Sequence, residues 1–281
     1  MDDFLIKKPT YIIKNSVMPT PRGGVFKIIY EGSEAILKLS TINLEDEYKT
    51  DKNYRYEDTK EEITILQDIS HKNIVKLYNV IIDTYKNRIE YRLIQEDCGI
   101  DLLELAMMRK PPAQKIHIED PEIVRNYFRQ LADALVYLHS HKIYHGDISA
   151  ENVLVKNDII KLIDFGMAGR NPEKLQKCFK NIGKPGYSSI ENWYQCHDPF
   201  KSDVWQFGVT LFCYMTACTC YIRPEDKYYK MLMTNFDEYL RLQHMTLHED
   251  IIDLLKKIFV PEDKRLDIFQ FRSYKFFDKV N

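Results

Sequence analysis

No stretch of this sequence approaches the roughly 18 consecutive apolar residues that a membrane-spanning helix requires. The opening residues, "MDDFLIKKPT", lack the basic segment and apolar run of a secretory signal, so the expectation is a cytoplasmic or nuclear protein with no membrane partner. An excess of positive charge is missing too. Forty basic residues stand against 42 acidic ones, a net charge of -2, and no sequence-wide field invites nucleic acid or anionic lipid. Six cysteines in 281 residues are too few for a disulfide scaffold. Only Cys218 and Cys220, in "TACTCY", lie close together, and with no second pair or neighbouring histidine they read as buried thiols rather than a zinc site. Repeats and low-complexity tracts are absent, which excludes a solenoid. What remains, 44% apolar and 29% charged residues, is the make-up of a globular protein with one large domain or two lobes, and it leaves the oligomeric state open.

Periodicity divides the chain. Up to about residue 95, strand-like runs such as "VFKIIYEG", "EAILKLS" and "NIVKLYNVIID" are interrupted by one charged helical segment, "DTKEEITILQDIS". From about 102 onward helical spacing dominates. "DPEIVRNYFRQLADALVYLHSH" carries an apolar face behind a capping candidate at Asp120, and "KSDVWQFGVTLFCYMTA" is apolar nearly all round, as a buried helix is. Between the halves, "LIQEDCGIDLL" passes from a strand through Cys98 and Gly99 to a helix start near Asp101. The expected fold class is α+β, with a β-rich lobe over about 1–94, a hinge over about 95–101, a helical lobe over about 102–281, and a ligand cleft between them.

Two short motifs carry the chemistry. "HGDISAEN" places Asp147 five residues before Asn152, and "KLIDFGMAG" places Asp164 in a polar turn downstream. A carboxylate able to take a hydroxyl proton, with an amide and a second carboxylate able to hold a divalent cation, is the equipment of phosphoryl transfer. Singly, each acid is better explained as a loop cap.

Together with the rest of the chain these motifs resemble the eukaryotic protein kinases over nearly the whole length. "AILK" is similar to the third-strand motif, with Lys38 as the phosphate-clamping lysine, and Glu62, nine residues before His71, stands where its partner glutamate stands. "GKPGYSSIEN" resembles G-T-P-G-Y-x-A-P-E, "SDVWQFG" matches D-x-W-x-x-G with Asp203 where the family holds the catalytic loop's backbone, and "VPEDKRLD" supplies Arg265 as partner of Glu191. Breaking that buried pair costs about 3–5 kcal/mol. The resemblance implies the two-lobed kinase fold, ATP and Mg2+ as cofactors, and a protein substrate with a serine or threonine acceptor. It implies Asp147 as catalytic acid-base group, with Asn152 and Asp164 as metal ligands. Around the nucleotide it implies Gly23, Val25, Ile36, Lys38, Glu62 and Leu154, with Gln95 gating the back of the pocket, the backbone of Glu96 and Cys98 on the adenine, and Asp101 near the ribose. Leu66, Leu77, His145 and Phe165 fit its stacked hydrophobic column, or ordinary core packing.

Several departures keep other readings in play. The positions of the family's first two glycines hold Met18 and Thr20, beside Pro19 and Pro21, which predicts a loose phosphate cradle, and Ile36 replaces the usual alanine over the adenine. A pseudokinase scaffold is therefore one alternative. H-G-D in place of H-R-D makes a small-molecule kinase of the aminoglycoside or choline type another, although such enzymes lack the Glu191 and Arg265 lock. The Arg that commonly receives a phosphate from the activation segment is Gly146, and Met167 to Gly186 contains no Ser, Thr or Tyr, so activation-segment phosphorylation is not expected to be required. Finally, the lysine two residues after the catalytic Asp is Ser149, and the threonine of G-T-P-G-Y is Lys184, as though hydroxyl and ammonium had traded places.

Overall fold

The computed structural model describes residues 10–20, 23–44, 59–108, 121–170, 183–193, 197–218 and 227–277. The capping candidate Asp120, Pro21 beside the glycine turn, and Cys220 lie outside them. The chain divides into two compact units, residues 1–70 with 75–97 and residues 71–74 with 98–281.

In the smaller unit, strands β1 (Tyr11–Thr20), β2 (Gly23–Tyr30), β3 (Ser33–Asn43), β4 (Leu77–Thr84) and β5 (Arg88–Glu96) form an antiparallel sheet in the order β1-β2-β3-β5-β4. One helix, α1 (Thr59–Asp68), accompanies it. Strand alternation sorts the sheet's side chains into two groups. Ile28, Tyr30, Ala35, Leu37, Ile81 and Ile94 pack on one face, while Tyr91 and Leu93 on the other meet Ile63 of α1.

The expected strand "NIVKLYNVIID" begins later than its apolar pattern suggests, at Leu77. Asn73 is held within the larger unit: its Nδ2 donates to Gln130 Oε1 at 2.7 Å and to the Ile160 carbonyl at 3.0 Å, and its own carbonyl accepts from Leu162 N–H at 2.9 Å. Three hydrogen bonds to residues distant in sequence outweigh the strand propensity of its neighbours.

The larger unit adds β6 (Ile100–Asp101), α2 (Leu102–Met108), α3 (Pro121–Ser140), β7 (Ile143–Tyr144), β8 (Val153–Lys156), β9 (Ile159–Leu162), β10 (Gly169–Arg170), α4 (Ile190–Trp193) and α5 (Pro199–Thr216). Helices α6 (Lys227–Thr234), α7 (Phe236–Leu242), α8 (Glu249–Ile258) and α9 (Ile268–Arg272) follow. The small strands pair as β6-β8-β9 and β7-β10.

Helix α5 is the hydrophobic axis of this unit, and all its residues except the half-buried Lys201 are buried. It starts two residues before the expected boundary because Asp198 caps it, accepting from Phe200 N–H at 2.9 Å, with Pro199 in the first turn where a missing N–H costs nothing. Phe207 packs edge-on against Phe128 of α3 and Phe271 of α9, and Trp205 against Phe259. Each such ring contributes about 1.5–3 kcal/mol by leaving water. Cys218, just past the end of α5, is exposed, which corrects its reading as a buried thiol. Among the described residues no helix is long and apolar enough to cross a membrane.

Candidate active site

In the smaller unit, β3 and α1 bring Lys38 and Glu62 together. The ammonium lies 2.9 and 3.0 Å from the two carboxylate oxygens, and Glu62 is almost wholly buried. Register fixes its surroundings: Val25 stands opposite Lys38, and Ile36 opposite Gln95. With the strand period of two, Val25, Ile36, Lys38 and Gln95 therefore share the sheet face on which Leu93 meets α1. Gly23 ends this row, paired with Thr20 and Ser40, while Met18 and Pro19 sit within β1 opposite Val25 and Gly24. Glu96 N–H is already committed to the Lys76 carbonyl at 2.9 Å. Leu66 is buried on α1, and Leu77 packs against the Ile63, Tyr91 and Leu93 group.

In the larger unit, Cys98 is buried, and Asp101 pairs with Leu154 across β6 and β8. The Asp101 carboxylate accepts from Glu104 N–H at 2.7 Å, which starts α2.

The centre of this unit's share is the loop His145–Asn152, whose backbone is pinned by side chains. Asp203 on α5 accepts from His145 N–H at 2.9 Å and Gly146 N–H at 2.8 Å. One turn along, Gln206 accepts from Ile148 N–H at 2.8 Å and donates to the Gly146 carbonyl at 3.0 Å. Asp203 is held in turn by His139 Nε2 at 2.9 Å. The ring of His145 accepts from Asp147 N–H through Nδ1 at 3.2 Å, so its proton sits on Nε2, which donates to the Ile163 carbonyl at 3.1 Å. Burial pulls His145 below its usual range and keeps it neutral. Its ring meets Phe165 edge-on at 4.8 Å.

This mounting presents the Asp147 carboxylate with its two oxygens in different states. Oδ2 accepts from Asn152 Nδ2 at 2.9 Å, whereas Oδ1 is buried and accepts no hydrogen bond among the described residues. Burial pushes the carboxyl above its ordinary value and the negative charge of Asp164 adds to that, while the Lys184 ammonium opposes it. Asp164 itself sits in the left-handed region, with φ 62°, and accepts from Gly166 N–H at 3.3 Å. Because the Asn152 amide turns its nitrogen toward Asp147, its Oδ1 is the atom left to face a ligand. An amide oxygen and a carboxylate are hard donors that suit magnesium. Among the described residues no three His, Cys, Asp or Glu cluster as a metal site.

Lys184 reaches the same loop from the chain that follows "DFG". Its Nζ donates to Ser149 Oγ at 2.9 Å and lies 3.5 Å from the Glu151 carboxylate. Downstream, Arg265 is buried beneath Glu191, donating to Oε1 at 3.0 Å and to the carbonyls of Ile258, Lys201 and Val260, with its guanidinium over Trp205. Gln206 and His139 were not singled out by the sequence. The available signal was an amide inside an otherwise apolar helix, which requires a buried partner.

The family model described as "Protein kinase domain" matches residues 21–277. A protein named as a probable serine/threonine-protein kinase from Dictyostelium discoideum is 27% identical over 232 residues, covering 78% of this chain and 30% of that protein. Serine/threonine-protein kinase ksp1 of Schizosaccharomyces pombe is 28% identical over 216 residues, 70% of this chain and 42% of its own length. Serine/threonine-protein kinase STK11 of Rattus norvegicus is 30% identical over 231 residues, 78% of this chain and 50% of that protein. The chain thus spans only about a third to a half of these curated relatives. With a match across nearly all of its length and the α+β architecture described above, the chain belongs to the protein kinase family.

Proposed function

We propose that this chain transfers the γ-phosphate of ATP, with Mg2+, to serine or threonine hydroxyls of protein substrates. The observation that carries the reading is the Asp147 carboxylate. Oδ2 is fixed by Asn152, Oδ1 accepts no hydrogen bond among the described residues, and the backbone on either side is pinned by Asp203 and Gln206. In this role Oδ1 orients the acceptor hydroxyl and takes its proton as the hydroxyl oxygen bonds to the γ-phosphorus and the bond to the bridging oxygen of ADP breaks. Mg2+, when bound, offsets charge on the phosphate oxygens, and Asn152 and Asp164 are the residues that would hold it.

Lys38, positioned by Glu62, is assigned to the nucleotide phosphates. Gly23, Val25, Ile36 and Leu154 are assigned to the nucleotide, Gln95 to the back of the pocket, the backbone of Glu96 and Cys98 to adenine, and Asp101 to the ribose. The named activity of the relatives supports a serine/threonine acceptor, and the Glu191–Arg265 pair supports a protein substrate over a small molecule. Gly146 in place of the phosphate-receiving arginine supports activity without activation-segment phosphorylation. A cytoplasmic or nuclear setting completes the reading.

One observation favours a scaffold instead: Pro19 sits in β1 opposite Gly24, where a glycine-rich turn would offer N–H groups to phosphate. Incubation with labelled ATP, magnesium and both protein and small-molecule acceptors separates the readings. Protein labelling that Asp147→Asn removes supports the kinase. Labelling of a small acceptor alone, or none at all, overturns it.

A further inference from the structure

We infer that the Lys184 ammonium faces the phosphoryl group in transit, and that it is delivered to the catalytic loop by the segment after "DFG" rather than by the loop itself. This rests on the kinase reading above and names a further residue of that same site.

The loop from His145 to Asn152 contains Asp147 and Glu151 but no lysine or arginine. With Asp164 adding to the negative charge felt at Asp147, an incoming phosphoryl group meets carboxylates unless a cation comes from elsewhere. Lys184 supplies one. Of its three donors, one goes to Ser149 Oγ at 2.9 Å and another points toward Glu151 at 3.5 Å. Ser149, two residues after Asp147, is itself fully buried, so the ammonium is tethered to a fixed neutral group beside the reacting carboxylate.

The backbone that carries Lys184 is mounted with little freedom. Gly183 has φ 84°, and a Cβ there would lie 2.5 Å from Gln206 Nε2 and 3.0 Å from the Gly146 carbonyl. Its N–H donates to Met167 Sδ at 3.2 Å. On the other side, the Lys184 carbonyl accepts from Tyr187 N–H and Ser188 Oγ, both at 3.1 Å, and the Tyr187 hydroxyl donates to Glu151 at 3.0 Å. Gly183, packed closely against Gln206 and the Gly146 carbonyl, therefore docks the segment on the loop, and docking brings in the cation.

The test begins with wild type and Asp147→Asn, whose difference establishes protein phosphorylation. Lys184→Thr is then expected to lower kcat about 10- to 1000-fold. Lys184→Gln, which keeps a donor for Ser149 without the charge, should lose as much. The double change Ser149→Lys with Lys184→Thr, which puts the cation on the loop, should run at least about tenfold faster than Lys184→Thr alone, a non-additivity that marks a shared role. Gly183→Ala should slow the wild-type background strongly and the swapped background little. Amide hydrogen exchange in the nucleotide-free protein gives an independent readout. Protection over 183–188 should survive Lys184→Gln and fall in Gly183→Ala. A cost below about threefold in both Lys184 variants, a double mutant no faster than the single, or protection lost with Lys184→Gln would each overturn the inference while leaving the kinase reading intact. Wild type no more active than Asp147→Asn overturns both.

Discussion

The two groups of candidate site residues, one in each unit, are held by different physical means. In the smaller unit, Lys38, Val25, Ile36 and Gln95 owe their common face to ladder register, and one ion pair with a buried glutamate completes the arrangement. In the larger unit, Asp147 sits on a loop that has no ladder to orient it. Side chains do that work instead: Asp203 and Gln206, one turn apart on α5, with His139 behind Asp203. A strand places a side chain by period, whereas a loop places one only by satisfying each backbone donor and acceptor from outside. Stability and activity should therefore be coupled differently in the two halves.

The largest expected effects test that difference directly. Lys38→Met and Asp164→Asn should each lower kcat at least about 100-fold, since the proposed roles put one on phosphate and the other on metal. Their thermal behaviour should diverge. Lys38→Met removes the ammonium that pairs with the buried Glu62 carboxylate, a loss of about 3–5 kcal/mol in full burial and less here because Lys38 is partly exposed. Asp164→Asn keeps a residue type that tolerates the left-handed region and should leave Tm within about two degrees. Calorimetry beside kinetics checks this, and equal destabilisation in both would erase the contrast.

An intermediate effect is expected at Gln206. Replacement by Ala leaves Ile148 N–H and the Gly146 carbonyl without their partners, at about 1–3 kcal/mol each. The rate should fall about tenfold while calorimetric nucleotide affinity changes little, because nothing in the smaller unit has been touched. A loss confined to affinity would contradict the assignment of Gln206 to the loop.

Acid sensitivity sharpens the comparison further. His197 in the larger unit is fully buried, with neither ring nitrogen hydrogen-bonded among the described residues, and burial pushes it down to about 4. The unfolded chain takes up a proton near pH 6.5 that the folded protein refuses, so stability is lost as pH falls from about 6.5 toward 4, by up to a few kcal/mol. Denaturant titrations of wild type and His197→Leu should show a shallower acid decline in the variant. The smallest expected effect is none: phosphatase treatment should leave the rate unchanged, as neither an arginine at position 146 nor an acceptor hydroxyl from Met167 to Gly186 is present.

Elements with clean periodicity were readable before any coordinates. The apolar spacing of α3, the all-round apolar surface of α5 and the alternation of β2 and β3 each name their own burial. Strand β1 was not readable because it is exposed on both faces, so no alternation marks it. The strand start misplaced at Asn73 shows the opposite failure, a β-like pattern overruled by three hydrogen bonds to residues distant in sequence. At the site, residues with a fixed motif spacing, among them Lys38, Glu62, Asp147, Asn152 and Asp164, could be named from one line of text. Gln206 and His139 could not, since what matters about Gln206 is the backbone of a loop 58 residues before it, and about His139 the side chain of Asp203, 64 residues after it. The nearness of Lys184 to Ser149 was legible only as a coincidence of two substitutions, which distance converts into a contact.

The central claim is that Asp147 is the acid-base centre of protein phosphorylation. Its most direct measurement is single-turnover transfer from labelled ATP with magnesium to a serine-containing protein acceptor, for wild type and Asp147→Asn side by side. The account predicts labelled phosphoserine from wild type and a rate at least about 100-fold lower from the variant at unchanged nucleotide affinity. Equal rates from the two proteins, or label on no protein at all, would contradict it.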